Sequence, residues 1–266
     1  MAESPYLLDN RKDEAGDRFD ALAAVYDRMT AAHFDLLGVG PGWRCLEVGA
    51  GGGSVVRHLA ERVGPSGRIL ATDIEPRFLE PLAGLDNVDV ARHDVVVDPL
   101  PEAAFDLVHA RLVLVHVPER LAAIHRLVQA LRPGGWLLIE DGDGIMTGQS
   151  CLDPRTEDEH LANRIRSGLM ELLVERGVDF AFARSLFRIL DGEGLVDIAG
   201  DGYVAFSDTV RTLERANIIQ LRDAFVAAGL ATDPEIDRFL AWLDEPHPSL
   251  AAPFLLSAWG RRPPSG

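Results

Sequence analysis

Hydrophobic residues follow an alternating rhythm through the middle of the chain. Short apolar runs at 44–49, 67–73, 88–94, 105–111 and 135–141 have the length and composition of buried strands. Apolar residues at helical spacing lie between most of these runs. Strands that alternate with helices predict a parallel sheet with helices on both faces, which is an α/β fold. The helices are predicted at 53–63, 75–83 and 118–131.

Helical spacing also marks both flanks of this region. Residues 17–37 predict a helix that precedes the first strand. After residue 143 the alternation breaks, and helices inserted between two late strands are expected to form a cap over a ligand crevice. Gly200 and Gly202 predict a bend or bulge in the first late strand. These late elements are predicted as helices at 155–176, 182–191, 208–228 and 234–243 and strands at 195–206 and 254–260.

The length and composition predict one globular domain. The chain has 266 residues, of which 47% are hydrophobic and 26% charged, and this suffices for one large core. We expect a helical N-terminal cover at 1–40 and a core of alternating elements at 41–143. Helical insertions with a sixth strand follow at 144–253, and the last strand and tail at 254–266.

The acidic balance narrows the class of partner. A formal net charge of −16 argues against nucleic acid and against an anionic membrane surface, which both attract Lys and Arg. The charged N-terminus and the lack of a long apolar run predict a cytoplasmic protein. Cys45 and Cys151 are isolated, so we expect neither a disulfide framework nor a metal site. A small-molecule partner is expected, and a homodimer is compatible with the sequence.

The segment LEVGAGGGSV at 46–55 joins a strand to a helix through a glycine-rich turn. Gly49, Gly51 and Gly53 suit a turn that needs positive φ angles or close approach of a ligand to the backbone. Such a turn is typical of a site for a nucleotide-like cofactor. The alternative is a glycine turn that serves packing alone.

Glu47, two residues before Gly49, distinguishes between cofactors. A carboxylate at this strand end would repel the pyrophosphate of a dinucleotide, which binds at the helix N-terminus. It would instead attract the ammonium and sulfonium groups of S-adenosylmethionine. Ser54 also stands where the dinucleotide pattern requires Gly or Ala. The residues therefore favour S-adenosylmethionine over NAD.

Two further acids close the next predicted strands. Asp73 follows the second strand, where a carboxylate can accept hydrogen bonds from both ribose hydroxyls. Its alternative role is that of an acid at a helix N-terminus. Asp94 closes the third strand beside His93 and suits an adenine amino group, although an Asp at this place is often a loop cap.

In this order the motifs resemble those of the class I S-adenosylmethionine-dependent methyltransferases. The resemblance covers about residues 40–143, through LEVGAGGGS, ATDIEP, ARHDVVVDPLPEAAFDLVHARLVLVHV and LRPGGWLLIED. It implies a Rossmann-like seven-stranded sheet of order 3-2-1-4-5-7-6, with an antiparallel seventh strand. It also implies that 41–143 binds the cofactor and that 144–253 lies on the substrate side.

The resemblance assigns cofactor contacts by position. Residues Glu47, Gly49, Ala50 and Gly51 would face the methionine part. Asp73 would hold the ribose, Ile74 would pack on the adenine, and His93, Asp94 and Val95 would surround the adenine. Ala110 and Arg111 would border the methionine part. A looser likeness to small-molecule methyltransferases of bacterial secondary metabolism adds Tyr26, Met29 and Thr30, although packing explains Tyr26 and Met29 equally well.

The implied activity is methyl transfer from S-adenosylmethionine to a carbon, nitrogen or oxygen nucleophile of a small molecule. Proximity and exclusion of water supply most of the catalysis, and some acceptors need a base. The candidate bases are His116, Asp141, Asp143 and His33, and the candidate substrate contacts are His160, Asn217 and Gln220. Loop hydrogen bonding or solvation are the alternatives for His116, the two Asp residues and His160. His58, His109, His125 and His247 are expected to be structural or exposed.

Two rival functions remain open at the level of the sequence. An NAD(P)-dependent oxidoreductase would share the sheet and the glycine turn but would require a recognisable catalytic Tyr/Lys pair, which we do not find. A protein that binds S-adenosylmethionine without methyl transfer would share every cofactor contact. Tight binding of S-adenosylhomocysteine without binding of NAD would distinguish a methyltransferase from the oxidoreductase. Transfer of a labelled methyl group to an acceptor would distinguish it from a protein that only binds S-adenosylmethionine.

Overall fold

The structure of the protein is a computed structural model that describes residues 7, 8, 10, 14–144, 148–247 and 249–264. The chain divides into two compact units. The sheet unit comprises Asp27–Gly142, Ala181–Tyr203 and Leu255–Gly266. The helical unit comprises Met1–Tyr26, Asp143–Phe180 and Val204–Phe254.

A seven-stranded sheet of order β3-β2-β1-β4-β5-β7-β6 forms the sheet unit. The five strands from β3 to β5 are parallel, whereas β7 is antiparallel to both β5 and β6. This order confirms the arrangement that the sequence motifs imply. The strands are β1 (Arg44–Val48), β2 (Arg68–Asp73), β3 (Val88–Arg92), β4 (Phe105–Arg111), β5 (Leu131–Gly142), β6 (Val196–Tyr203) and β7 (Leu255–Arg261).

Side chains alternate between the two faces of the sheet and form one apolar cluster on each. Along β1, Cys45 belongs to the cluster that α2 (Ser54–Val63) and the second half of α1 (Ala15–Leu37) cover. Leu46 belongs to the opposite cluster, which α3 (Arg120–Ala130) and α5 (Leu186–Gly192) cover. The period of two along a strand explains why neighbouring residues serve different clusters.

The helical unit contains the start of α1 and three further helices, α4 (Glu157–Glu175), α6 (Asp208–Ala227) and α7 (Asp233–Trp242). Capping boxes begin α4 and α7, where a Thr hydroxyl accepts the N–H three residues on and a Glu carboxylate returns to the Thr N–H. The described helices include none that is long and apolar enough to cross a membrane.

Two local expectations were wrong. The segment predicted as a helix at 75–83 is a 3₁₀ helix, Pro76–Leu82, and Pro81 within it cannot donate a backbone hydrogen bond. The irregularity in β6 lies between Val196 and Ala199, with Asp197 at a φ of 53°, rather than at the glycines. Gly200 instead permits close contact, because a Cβ there would lie 2.2 Å from the Ser257 carbonyl oxygen.

Candidate functional site

The glycine-rich turn adopts left-handed backbone angles. Gly49, Gly51 and Gly53 have φ values of 64°, 52° and 76°. A Cβ on Gly49 would also lie 2.3 Å from Val113 Cγ2. The backbone conformation therefore disfavours residues other than glycine at these three positions. At Gly49, contact with Val113 disfavours them as well. The turn presents bare backbone between β1 and α2.

Asp73 at the end of β2 fixes this turn. Its Oδ2 accepts the N–H of Gly51 at 2.9 Å, and its Oδ1 accepts the N–H of Glu75 at 2.9 Å. Burial raises the pKa of the Asp73 carboxyl, and these amide bonds oppose the rise. Each carboxylate oxygen has two acceptor sites, so Asp73 keeps the capacity to accept ribose hydroxyls. Its assignment to the ribose stays a prediction.

The loop after β3 carries a buried polar group. Within the residues that the structure describes, neither ring nitrogen of His93 has a hydrogen-bond partner, although both atoms are buried. Asp94 Oδ1 accepts the N–H of Val96 at 2.9 Å, which closes a tight turn. Val95 is buried, and Ile74 after β2 is about one third exposed (36%). Buried polar atoms in proteins normally have a partner, so His93 offers a donor and an acceptor to a ligand.

Three neighbouring strands place a hydrogen-bonded row of ionisable side chains on the α1 face of the sheet. Glu47 Oε2 contacts His109 Nδ1 at 2.6 Å, and His109 Nε2 contacts Glu140 Oε2 at 3.2 Å. Glu47, His109 and Glu140 come from β1, β4 and β5, and all three are buried. These three residues, together with Thr30, His33 and Asp201, form a group that we call the polar row.

The second half of α1 extends the polar row. His33 Nδ1 contacts Glu140 Oε1 at 2.6 Å, and Thr30 Oγ1 donates to Glu140 Oε2 at 2.5 Å. His33 Nε2 lies 3.1 Å from Asp201 Oδ1 on β6. Thr30, His33 and Asp201 complete the polar row, which runs from the buried Glu47 to the half-exposed Asp201. Polar side chains therefore connect α1 to β5 and β6.

Arg111 at the end of β4 joins the same helix. Its guanidinium donates to Thr30 Oγ1 at 2.9 Å and to Asp27 Oδ1 at 2.8 Å. Ser54, the first residue of α2, donates to Asp27 Oδ1 at 3.1 Å. The helix segment after Tyr26 is thus tied both to β4 and to the helix that follows the glycine turn.

Burial and mutual charge shift the protonation of the polar row. Burial opposes a charged His109, but the charges and hydrogen bonds of Glu47 and Glu140 outweigh it and raise its pKa to about 9. The same balance, with Glu140 and Asp201, raises the pKa of His33. Burial opposes an ionised Glu140, but two imidazoles hold its pKa far below the ordinary value. Burial raises the pKa of Glu47 despite His109.

The structure gives the other helix residues local partners. Tyr26 donates its hydroxyl to the Pro253 carbonyl at 2.7 Å in the helical unit. Met29 is buried, and its sulfur accepts a weak hydrogen bond from Ser257 at 3.8 Å in the sheet unit. Packing therefore accounts for Tyr26 and Met29. Their assignment to the cofactor stays a prediction.

The candidate bases differ in environment. Asp141 at the end of β5 is fully buried, accepts the N–H of Val115 at 3.3 Å, and has its pKa raised to about 8 by burial. His116 is half-buried at the end of the 3₁₀ turn Leu114–His116. Asp143 is buried at the start of the helical unit, and its N–H donates to the Phe254 carbonyl.

The predicted substrate residues lie in the helical unit. Asn217 and Gln220 are buried on α6, and Gln220 accepts a hydrogen bond from Arg18 at 3.2 Å. His160 on α4 is exposed and borders a shallow groove with Asn163 and Leu230. These contacts do not test a role in substrate binding, which stays a prediction for all three.

Sequence reasoning missed His109 and Glu140. Both stand inside strands, at positions where the alternation of FDLVHAR and GWLLIED directs side chains to a covered face. Polar residues at such positions in neighbouring strands are a signal that they pair with each other. That signal was available for His109 and Glu140, whereas Asp201 became a partner of His33 only through the fold.

Comparison with known proteins agrees with the fold. Residues 46–137 match the family described as methyltransferase domain. This match includes the end of β1, the glycine turn and the loop after β3, together with β4 and the first half of β5.

Two curated relatives match about half of this chain. Methyltransferase str2 of Strobilurus tenacellus is 32% identical over 146 residues, which are 53% of this chain and 50% of the relative. Nocamycin O-methyltransferase of Saccharothrix syringae is 34% identical over 131 residues, which are 44% of this chain and 47% of the relative. The chain thus spans about half the length of these relatives.

A solved structure shares the fold at low identity. A putative sarcosine dimethylglycine methyltransferase from Galdieria sulphuraria superposes with a TM-score of 0.54 and 16% identity, over 90% of this chain and 85% of that chain. Its sheet and the sheet described above belong to the same fold. The ordered motifs, the strand order and the match over residues 46–137 make this chain similar to the class I S-adenosylmethionine-dependent methyltransferases.

Proposed function

We propose that this chain binds S-adenosylmethionine at the glycine turn and transfers the methyl group to a small-molecule nucleophile. The observation that carries the proposal is the pair of buried carboxylates, Glu47 and Asp73, on adjacent strands β1 and β2 beside the bare backbone of that turn. Ligands of open α/β sheets bind at the carboxyl ends of the strands, where Asp73 and the turn lie.

The residues present fit this cofactor better than a dinucleotide. A buried carboxylate at Glu47 attracts a cationic ammonium and repels a pyrophosphate. Asp73 holds the turn through Gly51 and keeps acceptor capacity for ribose hydroxyls. The ring of His93, which has no hydrogen-bond partner among the described residues, and the neighbouring Asp94 are suited to the edge of an adenine. Ile74 offers an apolar surface beside them.

The bound sulfonium supplies a methyl group on a leaving group that is already activated. The protein then has to align the acceptor and exclude water. His33 contacts two carboxylates, Glu140 and Asp201, and their charges and hydrogen bonds raise its pKa, so we do not assign it as the base. Asp141, whose pKa is raised to about 8, is neutral at pH 7 and supports the 3₁₀ turn at Val115. His116 and Asp143 remain the proposed bases for acceptors that need one.

The acceptor is proposed to be a secondary metabolite with a carbon, nitrogen or oxygen nucleophile. The name of the Saccharothrix syringae relative, nocamycin O-methyltransferase, supports an acceptor of this type. His160, Asn217 and Gln220 remain proposed substrate contacts. The cytoplasmic location and the possible homodimer remain predictions from the sequence.

The test is the fate of a labelled methyl group. The purified chain is incubated with methyl-labelled S-adenosylmethionine and panels of phenol, indole, amine and polyketide acceptors, and products are analysed by mass spectrometry. We expect label in one acceptor class and loss of transfer in Asp73→Ala. Tight binding of S-adenosylhomocysteine without transfer to any acceptor would favour a binding protein without methyl transfer.

A further inference from the structure

His109 is an ionisable residue in a place suited to an apolar one. Its neighbours on the same face, Leu107 on β4 and Leu138 on β5, belong to the apolar cluster, and the Phe34 ring lies edge-on at 5.4 Å. A buried imidazole is costly unless its nitrogens are hydrogen-bonded. Both nitrogens of His109 face carboxylates, Glu47 on one side and Glu140 on the other.

The two carboxylates, Glu47 and Glu140, differ in the number of hydrogen-bond partners that offset their burial. Glu140 is contacted by His109, His33 and the Thr30 hydroxyl. Among the described residues, the Glu47 carboxylate has a hydrogen bond to His109 alone, and only its Oε2 is used. The remaining oxygen, Oε1, can therefore accept a hydrogen bond from a cationic ligand group, which would complete the compensation of Glu47.

We propose that His109 is a positioning residue for the cofactor, holding Glu47 ionised and in place to receive the amino group of S-adenosylmethionine, while Glu140, which His33 also contacts, holds His109. This inference rests on the proposed function. His109 acts through Glu47 and has no contact with the cofactor in this arrangement. The polar row is thus a support for one cofactor contact.

The charges that face His109 explain why an imidazole is used. Glu47 from β1 and Glu140 from β5 both favour the imidazolium, and Phe34 from α1 adds no charge. Burial raises the pKa of Glu47, and the charge of His109 opposes that rise. Without His109 the Glu47 carboxyl would take up a proton more readily and would lose its attraction for an ammonium.

Two ligands that differ in the amino-acid part separate positioning from general damage. S-adenosylhomocysteine carries the amino group, whereas 5′-methylthioadenosine has the adenosine and the thioether without it. Calorimetry should find His109→Phe about 10- to 100-fold weaker for S-adenosylhomocysteine, as expected for a lost charged hydrogen bond. Binding of 5′-methylthioadenosine should stay within about threefold of the wild type.

Matched variants complete the experiment. His109→Asn keeps a neutral donor near the place of Nδ1 but lacks the charge, so it should bind S-adenosylhomocysteine more tightly than His109→Phe and more weakly than the wild type. His125→Phe changes an exposed histidine on α3 that pairs with Glu193, and both ligands should bind to it as to the wild type. Glu47→Gln should weaken the binding of S-adenosylhomocysteine but not that of 5′-methylthioadenosine. The double variant Glu47→Gln/His109→Phe should bind S-adenosylhomocysteine only slightly more weakly than Glu47→Gln.

The outcomes are distinct. Equal affinity of His109→Phe and wild type for S-adenosylhomocysteine would overturn the role of His109, as would an equal loss for both ligands. Failure of the wild type to bind either ligand would instead reject the proposed function. If His109→Phe does not fold, ¹⁵N NMR of the wild-type imidazole at pH 7.5 decides. A doubly protonated His109 ring supports the proposal, and a neutral ring overturns it.

Discussion

At the scale of residues, single positions at the glycine turn are set by two independent constraints. Gly49 needs a left-handed φ and also has Val113 against the place of a Cβ. Gly38, after α1, has a φ of 75° and nothing within 4 Å of a Cβ. The two glycines therefore separate the cost of backbone strain from the cost of a steric clash.

We predict that Gly49→Ala destabilises the protein more than Gly38→Ala. The left-handed backbone costs about 1–2 kcal/mol for a residue with a Cβ, and both variants share this cost. Overpacking against Val113 adds about 1–3 kcal/mol in Gly49→Ala only. Urea denaturation of both variants measures the difference. Equal losses would mean that Val113 moves aside.

A second residue-scale prediction concerns Asp141. Burial raises its pKa to about 8 in the folded protein, while the unfolded carboxyl titrates near 3.8. The folded state therefore binds the proton more tightly, and the contribution of Asp141 to stability falls as the pH rises from about 4 to 8. Asp141→Asn lacks this titration.

We expect the free energy of unfolding of Asp141→Asn to rise, relative to that of the wild type, by at least about 1 kcal/mol from pH 5 to pH 8. Thermal or denaturant unfolding of both proteins at several pH values provides the measurement. Parallel curves for the two proteins would show that Asp141 titrates near its ordinary value and is ionised in the fold.

At the scale of elements, polar contacts as well as apolar packing attach the second half of α1 to the sheet. Phe34 joins the apolar cluster, while Thr30 and His33 contact Glu140 on β5. Removing one partner of a buried charge leaves the other uncompensated. The attachment of α1 therefore depends on residues that a purely apolar view of the helix would class as surface.

We predict that His33→Leu destabilises the protein by about 2–4 kcal/mol, because Glu140 Oε1 loses its imidazole partner in a buried place. His58→Leu is the matched control. His58 is half-exposed and lies 3.4 Å from Asp27. His58→Leu should therefore change the free energy of unfolding by less than about 0.5 kcal/mol. Similar losses in both variants, measured by denaturant unfolding, would contradict a special role for His33.

The elements were largely predictable, and the polar row was not. Period-two and helical patterns identified the strands and most helices, because burial of one face imposes those periods on the sequence. The places of Glu47 and Asp73 near the ends of β1 and β2 were also predictable, whereas their roles toward the cofactor stay predictions. Polar residues inside two buried strands were a signal for His109 and Glu140, but the contacts of His33 with Glu140 and Asp201 depend on where α1 and β6 lie, which local periodicity does not contain.

At the scale of the whole molecule, the ordered motifs determine the sheet, and the sheet order agrees with the methyltransferase family. The net charge of −16 is compatible with a small, cationic or neutral ligand. The chain divides into two compact units, and the strand ends of the sheet unit contain Asp73 and the glycine turn. We therefore expect this turn to bind S-adenosylmethionine rather than a dinucleotide.

The decisive measurement is calorimetric titration of the wild-type chain with S-adenosylhomocysteine and, separately, with NAD⁺. We predict one site for S-adenosylhomocysteine with a Kd in the micromolar range, which corresponds to a binding free energy of about −8 kcal/mol. Titration with NAD⁺ should give no heat of binding. Saturable binding of NAD⁺, or no binding of S-adenosylhomocysteine at millimolar concentration, would contradict the account.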